Sequence, residues 1–315
     1  MATLFKQFQS TRPAAVEEIR AKHLAFRSQS VSLHPGEAIP ARSQVICVAS
    51  GKGGVGKTLV SCNLSVALAQ KGLRVTLVDA DFGFANAHLV LGIEPRHDIS
   101  SVVRREMSVD EIAERGPAGI RFIPGGSGKT ELALISDADF AHLAGELCRL
   151  EESSDVTVID LGAGIGNQVL RFLNAAHDIV LVSDHEATSQ SDALSTIAML
   201  AETLGAATIH IVINRARDRE HAVVAFQKIW QKTNAAWRGR IKLFFSGWLP
   251  NNWYVQSSVM LGKPLVLRHP HSLPARCIQT MGDKFHKHNV VWMSRQVGRF
   301  GVPSAFARLQ QMSRS

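Results

Sequence analysis

The chain has 315 residues, of which 45% are hydrophobic, so it is long enough for one large α/β domain with extensions or for two small domains. It contains no run of about eighteen apolar residues, and its N-terminal residues lack the apolar stretch of a secretory signal. Its four cysteines stand far apart, without the spacing of a zinc site or a disulfide framework. The sequence therefore predicts a cytoplasmic protein.

The net charge of +8 is concentrated at the two ends of the chain. Residues 1–42 have a net charge of +3 and residues 283–315 one of +5, which leaves the central part formally neutral. Basic ends of this kind suit contact with an anionic membrane surface or an acidic partner, whereas a basic groove for DNA would place the charge in the central part. Ends that only keep the protein in solution are the alternative.

Residues 1–42 are predicted to form an N-terminal extension. Within it, residues 11–27 have the pattern of an amphipathic helix, with Thr11 as a candidate N-cap and Pro13 near the first turn. The following stretch SVSLHPGEAIPARS contains two prolines and a glycine, which break a helix. We therefore predict a helix followed by a linker.

From residue 43 to residue 285, short apolar runs alternate with helical patterns, as a parallel sheet covered on both faces requires. Each run is rich in β-branched residues, and the segments between the runs are long enough for crossover helices. The runs are QVICVAS, RVTLVDA, GIRFIPG, DVTVIDLG, DIVLVSD, TIHIVINR and IKLFFSGWLP. We predict an α/β domain with a doubly wound, mostly parallel sheet of about seven strands. Residues 286–315 then form a basic amphipathic tail.

The stretch GKGGVGKT at residues 51–58 matches the phosphate-binding pattern GxxxxGK[ST], between a predicted strand and a predicted helix. Glycines allow backbone N–H groups to turn toward phosphate oxygens at a helix N-terminus. Lys57 adds positive charge at the β- and γ-phosphates, and the Thr58 hydroxyl is a candidate ligand of Mg²⁺. The nucleotide-binding residues predicted here are Gly51, Lys52, Gly53, Gly54, Val55, Gly56, Lys57, Thr58 and Leu59.

Two acidic segments complete the predicted site. The run RVTLVDA leads into Asp79 and Asp81, and the run DVTVIDLG contains Asp160, which a glycine-rich turn follows. The carboxyl ends of parallel strands meet at one edge of the sheet, where ligands of such sheets bind. We predict that Asp160 lies near Mg²⁺. Taken singly, each Asp has the role of a helix N-cap as its alternative.

These segments together carry a family resemblance. The stretches KGGVGKT, VDADFGFANAHLVLG and IDLGAGIG resemble the deviant Walker A ATPases of the MinD/ParA group, in the SIMIBI class of P-loop NTPases, over about residues 44–285. Within the group, FIPGGSG, GAGIGNQVLRFLNAAHDIVLVS and VINRARDREHAVVAF look most like the FlhG branch, also called YlxH or FleN. Members of that branch control the number and placement of flagella.

The resemblance implies a role for each matching residue. Lys52 is expected to reach across an ATP-sandwich dimer to the phosphates of the partner, and Asp81 to position the attacking water. The catalytic residues implied are Lys52, Lys57 and Asp81. The metal-binding residues implied are Thr58, Asp79 and Asp160. The other nucleotide contacts implied, at the base, are Asn214, Arg215, Pro250 and Asn251.

The sequence departs from the family pattern in three features. Leu161 follows Asp160 where Thr or Ser is commoner, which removes a hydroxyl near the metal and predicts slow hydrolysis. Asn251 and Asn252 replace acids in the loop that closes over the base. The N-terminal helix lacks the literal Asp-Gln-Ala-x-x-Leu-Arg motif by which FlhG stimulates the GTPase FlhF. An FlhF-like GTPase, or another polar or flagellar protein, remains a candidate partner. The missing motif leaves stimulation of such a GTPase without support from the sequence.

The resulting prediction is an ATPase that dimerises on ATP and Mg²⁺ and contacts the inner membrane peripherally through its tail. Gly301 and Pro303 break that tail into short pieces, which insert weakly, and packing on the ATPase domain is its alternative role. A ParA-like partitioning ATPase and a MinD-like division-site regulator are alternative functions, with DNA disfavoured by the neutral central part. A nucleotide-gated scaffold with little hydrolysis is the alternative of a different class.

Overall fold

A computed structural model describes residues 43–126, 128, 132, 135–164, 166–204, 206–296 and 310, except for the side chains of residues 291–296. The predicted N-terminal extension lies outside the described residues, and so does nearly all of the tail beyond residue 296. Both remain predictions.

Eight strands form one sheet in the order β3-β4-β2-β5-β1-β6-β7-β8. The strands are β1 Gln44–Ala49, β2 Val75–Ala80, β3 Glu114–Arg115, β4 Arg121–Ile123, β5 Val156–Leu161, β6 Asp178–Asp184, β7 Ala207–Ala216 and β8 Ile241–Pro250. All neighbouring strands are parallel except β3 and β4. Every predicted run contains a strand, and the two-residue β3 at the edge is the one strand that the sequence did not predict.

Helices pack on both faces of this sheet. They are α1 Lys57–Ala69, α2 Ala87–Leu91, α3 Ile99–Val103, α4 Asp137–Ser153, α5 Asn167–Ala175, α6 Ala187–Leu204, α7 Arg219–Trp237, α8 Trp253–Met260, α9 Leu265–Arg268 and α10 Leu273–Gln296, with a 3-10 turn at Pro117–Gly119. The two faces follow from the alternation of side chains along a strand. In β1, Val45 and Cys47 lie in one buried cluster with residues of α3 to α7, while Ile46 and Val48 lie in another with residues of α1, α2, α9 and α10.

The last helix, α10, ties the end of the described domain to its beginning. It runs from Leu273 to Gln296, so the predicted boundary between residues 285 and 286 falls inside one helix. Asn289, beyond that boundary, is buried and donates from Nδ2 to Oε1 of Gln44 at 3.0 Å. The buried face of α10 therefore continues into the predicted tail. Among the described helices, none is both long and apolar enough to cross a membrane.

Candidate functional site

The loop between β1 and α1 lies so close to its neighbours that two of its glycines, Gly51 and Gly56, admit no side chain. A Cβ atom on Gly51 would lie 2.5 Å from the backbone carbonyl of Asp192 in α6, and one on Gly56 would collide with Nδ2 of Asn214. Gly54 and Gly56 also have positive φ angles of 76° and 92°, which favour glycine. The loop thus has the backbone shape that directs N–H groups toward an anion at the beginning of α1.

The residues predicted to contact the base lie beside this loop and brace it. Asn214, near the end of β7, donates from Nδ2 to the carbonyl of Val55 at 2.7 Å. Arg215 adopts a φ of 54° and donates from Nη2 to the carbonyl of Gly54 at 2.7 Å. The hydrogen bonds from Asn214 and Arg215 to these two carbonyls hold the phosphate-binding loop on the side where the base is predicted to bind.

The rest of the predicted base segment follows β8, the neighbour of β7. Pro250 is the register partner of Ala216, and the N–H of Asn251 donates to the carbonyl of Ala216 at 3.4 Å. The side chain of Asn252 caps α8 by accepting from the N–H of Tyr254 at 2.9 Å. The structure thus brings all four predicted base residues to one place, while their contact with a base stays a prediction.

Lys57 and Asp160 form a buried ion pair at the base of the loop. The Nζ atom of Lys57 donates to Oδ1 of Asp160 at 3.0 Å, and the hydroxyl of Ser61 donates to the same oxygen at 2.7 Å. The other oxygen, Oδ2, is buried and accepts no hydrogen bond from the described residues. A buried carboxylate oxygen without a hydrogen-bond donor is energetically costly, and a bound cation or a proton donor would relieve that cost.

Asp79 and Asp160 are register partners on β2 and β5, so two buried carboxylates stand side by side. Asp79 accepts from the N–H of Ala87 at 2.9 Å and from that of Asp81 at 3.2 Å. Burial, and then the negative charge of Asp160, raise the pKa of Asp79 to about 7. The N–H bonds and Lys57 oppose this shift but do not cancel it.

The three predicted metal residues offer oxygen atoms that suit Mg²⁺. The Oδ2 atom of Asp160 has no described donor, the carboxylate of Asp79 is its neighbour, and Thr58 lies in the first turn of α1, directly after Lys57. Carboxylate and hydroxyl oxygens are hard donors, which Mg²⁺ prefers. A divalent cation would also relieve the repulsion between the two carboxylates. The donor set therefore fits the predicted ion.

Asp81 lies just beyond the end of β2, above the glycine turn that follows β5. Its Oδ1 accepts from the N–H of Phe84 at 3.1 Å and lies 3.4 Å from the place that a Cβ atom of Gly162 would occupy. The N–H of Gly164, in the same turn, donates to the carbonyl of Ser50 at 3.0 Å. This half-buried carboxylate therefore borders the turn that is itself linked to the phosphate-binding loop.

Lys52 is exposed and weakly paired, whereas Lys57 is buried. Its Nζ lies 3.3 Å from Oε2 of Glu186, and the two side chains are 43% and 53% exposed. An exposed ion pair of this kind is worth about 0–1 kcal/mol. Lys52 therefore lies at the surface beside the loop, in a weak contact with its own chain, while Lys57 alone serves the buried carboxylates.

The sequence did not predict three residues of the site: Ser61, Glu186 and Asp192. Ser61 had a local signal, because it follows Lys57 by one helical turn and shares its face. Glu186 and Asp192 lie more than 130 residues away along the chain from the loop that they contact, and no local pattern connects such positions.

Leu161 is fully buried in the apolar cluster that contains Ile159. Asp160 points to the opposite face of β5, because side chains alternate along a strand. The absence of a hydroxyl at position 161 is therefore a matter of core packing in this chain. Slow hydrolysis stays a prediction that rests on the family pattern.

A family model decides the relationship of this chain. Residues 46–253 match the model described as "CobQ/CobB/MinD/ParA nucleotide binding domain". The chain belongs to the MinD/ParA family. The resemblance and the fold class predicted from the sequence are thus confirmed, and the matched range includes all of the predicted site residues.

Two relatives match this chain over most of their length, and the name of one of them, YlxH, refers to the flagellum. The chain is 32% identical to the antiactivator FleN of Pseudomonas aeruginosa, with 81% of this chain and 88% of the relative covered. It is 29% identical to the flagellum site-determining protein YlxH of Helicobacter pylori, with 85% and 90% covered. The septum site-determining protein MinD of Pyrococcus horikoshii, solved with Mg-ADP, matches with a TM-score of 0.66 at 22% identity, covering 79% and 98%. This likeness shows a common fold.

The stability of the protein without nucleotide and Mg²⁺ is expected to fall as pH rises through the titration of Asp79. The pKa of Asp79 moves from 3.8 to about 7 on folding, so between these values the folded chain keeps a proton that the unfolded chain has released. Folding then becomes less favourable with each rise in pH. Urea unfolding in the presence of EDTA, across this interval, measures the slope.

The matched control is Asp79→Asn, which has no proton to release at this position. Its free energy of unfolding should show a flatter dependence on pH over the same interval. Equal slopes for both proteins would contradict the assignment to Asp79. Adding Mg²⁺ to the parent protein should also flatten the slope, because the cation favours the ionised carboxylate.

Proposed function

We propose that this member of the MinD/ParA family is a dimerisation switch that ATP and Mg²⁺ close and hydrolysis opens. The observation that carries the proposal is the position of Lys52. This lysine stands at the exposed beginning of the phosphate-binding loop, and its side chain forms a weak pair with Glu186. A phosphate group on a second copy can replace that carboxylate at little cost.

The different positions of the two lysines support a target for Lys52 outside its own chain. Lys57 already neutralises Asp160 inside the fold, so the buried cluster needs no second lysine from the same loop. A charged group at the surface gains more from an anion that is brought in from outside than from a solvated glutamate, because the contact then excludes water. Lys52 is thus suited to a nucleotide shared between two copies.

Exposed apolar residues near the site support association as well. Phe84, three residues after Asp81, is 80% exposed. Leu89 of α2 is exposed, and its carbonyl lies near Gly262, beside the exposed Met260 and Leu261 at the end of α8. Large apolar side chains gathered at one place on a surface mark contact sites. These residues flank the loops that carry Asp81 and the base segment.

The chemistry that we propose is the hydrolysis of ATP. The N–H groups of the loop and Lys57 bind the phosphates, and Asp81 orients the attacking water at the glycine turn. Bound Mg²⁺ supplies charge neutralisation at the β- and γ-phosphates. Asp79, Asp160 and Thr58 hold the ion, directly or through water. Asn214, Arg215, Pro250 and Asn251 contact the base.

The biological role that we propose is regulation of the number or placement of flagella or of another cell-surface structure. The names of the relatives FleN and YlxH support it. The ATP-bound dimer would act in the cytoplasm and at the inner membrane, with the basic ends of the chain contacting anionic lipid and an FlhF-like GTPase or another polar protein as partner. Deletion of the gene in its host should change the count or position of these structures.

The decisive measurement is the mass of the full-length protein in solution with ATP and with ADP. We expect Lys52→Ala to bind ATP as the parent does and yet to remain a monomer. Glu186→Ala is the matched control, because it removes the competing carboxylate and leaves the lysine. That variant should dimerise as well as the parent or up to about fivefold more tightly.

A Lys52→Ala protein that still dimerises on ATP would show the proposed switch to be wrong. Release of phosphate, measured on the same samples, separates the ATPase from the nucleotide-gated scaffold. Turnover that depends on dimerisation supports the ATPase, whereas ATP-dependent dimers without turnover support the scaffold.

A further inference from the structure

A cluster of two histidines and an aspartate lies at the edge of the sheet opposite the candidate nucleotide site. Asp178 begins β6, His210 lies in β7 and His288 lies in α10. One ligand atom of each residue falls within 4.8 Å of those of the other two. Three separate elements of the fold therefore direct these side chains to one point.

The carboxylate of Asp178 in this cluster is buried. The amide of Gln44 adds a donor, with Nε2 2.6 Å from Oδ2. A buried carboxylate next to two imidazole rings is an environment that attracts a cation.

The hydrogen bonds around His210 direct its Nε2 atom toward the proposed metal position. Its Nδ1 lies 2.8 Å from the hydroxyl of Ser246, while Nε2 faces Oδ1 of Asp178 at 3.1 Å. Histidine ligands of metals usually make such a bond with the ring nitrogen that does not bind the ion, which fixes the tautomer and the ring orientation. Ser246 is thus placed to orient His210.

Two of the spacings between ligand atoms are close to those around a small tetrahedral ion, and all three ligand atoms lie within 4.8 Å of one another. Oδ1 of Asp178 lies 3.1 Å from Nε2 of His210, and Oδ2 lies 3.5 Å from Nδ1 of His288. Ligands at about 2.0–2.1 Å from a tetrahedral metal are about 3.3 Å apart. Two imidazoles and one carboxylate favour Zn²⁺ and related transition metals over Mg²⁺, which takes oxygen ligands.

We propose that Asp178, His210 and His288 form a binding site for a divalent transition metal of the Zn²⁺ class, with water as the fourth ligand. The side chain of His288 is 41% exposed, which gives the ion and its water a path to solvent. The bound ion links α10 to the neighbouring strands β6 and β7. The site is separate from the nucleotide chemistry, so it stands or falls independently of the switch.

The test titrates the full-length protein with Zn²⁺ in the presence of ADP and excess Mg²⁺, which occupy the nucleotide site. Calorimetry and equilibrium dialysis should find one more zinc ion per chain in the parent than in His288→Ala. Loss of this half-exposed side chain should leave ADP binding unchanged, which reports that the variant is folded. His286→Ala, also partly exposed and on the same helix, is the matched control and should bind as the parent does.

Two further readouts report on geometry. Co²⁺ in place of Zn²⁺ should give the intense visible absorption of a tetrahedral site in the parent and in His286→Ala, but not in His288→Ala. Ser246→Ala should weaken zinc binding by about tenfold, because it removes the partner that orients His210. Equal zinc binding by the parent and His288→Ala, or an octahedral cobalt spectrum in the parent, would overturn the proposal and leave a cluster joined by hydrogen bonds alone.

Discussion

Replacing Lys57 by alanine is expected to abolish ATP binding and to lower the free energy of unfolding by about 3–5 kcal/mol. The side chain is buried and pairs with Asp160, whose carboxylate is itself fully buried beside Asp79. Without the lysine, two carboxylates face each other in the interior with no cation between them. Urea unfolding measures the loss of stability, and calorimetry with ATP measures the loss of binding.

Two variants make this expectation specific. Lys52→Ala removes an exposed lysine from the same loop, so it should change stability by no more than about 1 kcal/mol and leave ATP binding intact. The single change leaves the buried carboxylate of Asp160 without its lysine. The double variant Lys57→Ala, Asp160→Asn also removes that carboxylate charge. It should recover much of the stability and none of the ATP binding. Unchanged unfolding of Lys57→Ala would contradict the buried ion pair.

Replacing Asp81 by alanine is expected to reduce ATP hydrolysis by at least about 100-fold while ATP binding persists. The carboxylate borders the glycine turn after β5 and accepts a hydrogen bond from the N–H of Phe84. Loss of that bond at a half-buried position costs about 1 kcal/mol, so the fold should survive. Phosphate release under saturating ATP measures the effect.

The same variant should accumulate the ATP-bound dimer, because the step that separates the copies is blocked. Sedimentation of Asp81→Ala with ATP should show a larger dimer fraction, for a longer time, than the parent. Glu94→Ala, an exposed acidic residue beyond α2, is the control and should hydrolyse ATP at the parent rate. Normal turnover by Asp81→Ala would remove this residue from the mechanism.

The sequence was sufficient for the sheet and for the phosphate-binding loop because both have local signals. Short β-branched runs predicted all seven of the longer strands, and the loop pattern is contiguous in the chain. The edge strand β3 has only two residues, too few for any periodicity to show. The continuation of α10 past residue 285 was missed because its charged and apolar residues also fit a free amphipathic tail.

Within the site, the sequence supplied residue types but not their partners. The bond from Asn214 to Val55 and the pair of Lys52 with Glu186 join residues more than 130 positions apart, so they depend on the completed sheet. The shifted pKa of Asp79 likewise arises from burial and from a neighbour on another strand. Such properties follow from packing, which no stretch of sequence contains by itself.

The bonds of Gln44 place the two ends of the ATPase domain together. The side-chain amide of Gln44 donates to Asp178 and accepts from Asn289. The beginning of β1 therefore lies next to the part of α10 that leads toward the C-terminus. The segments attached here carry +3 over residues 1–42 and +5 over residues 283–315. β1 has six residues, which places the phosphate-binding loop about 20 Å away at its other end. Both basic segments therefore meet the domain at the end of β1 that is remote from the phosphate-binding loop.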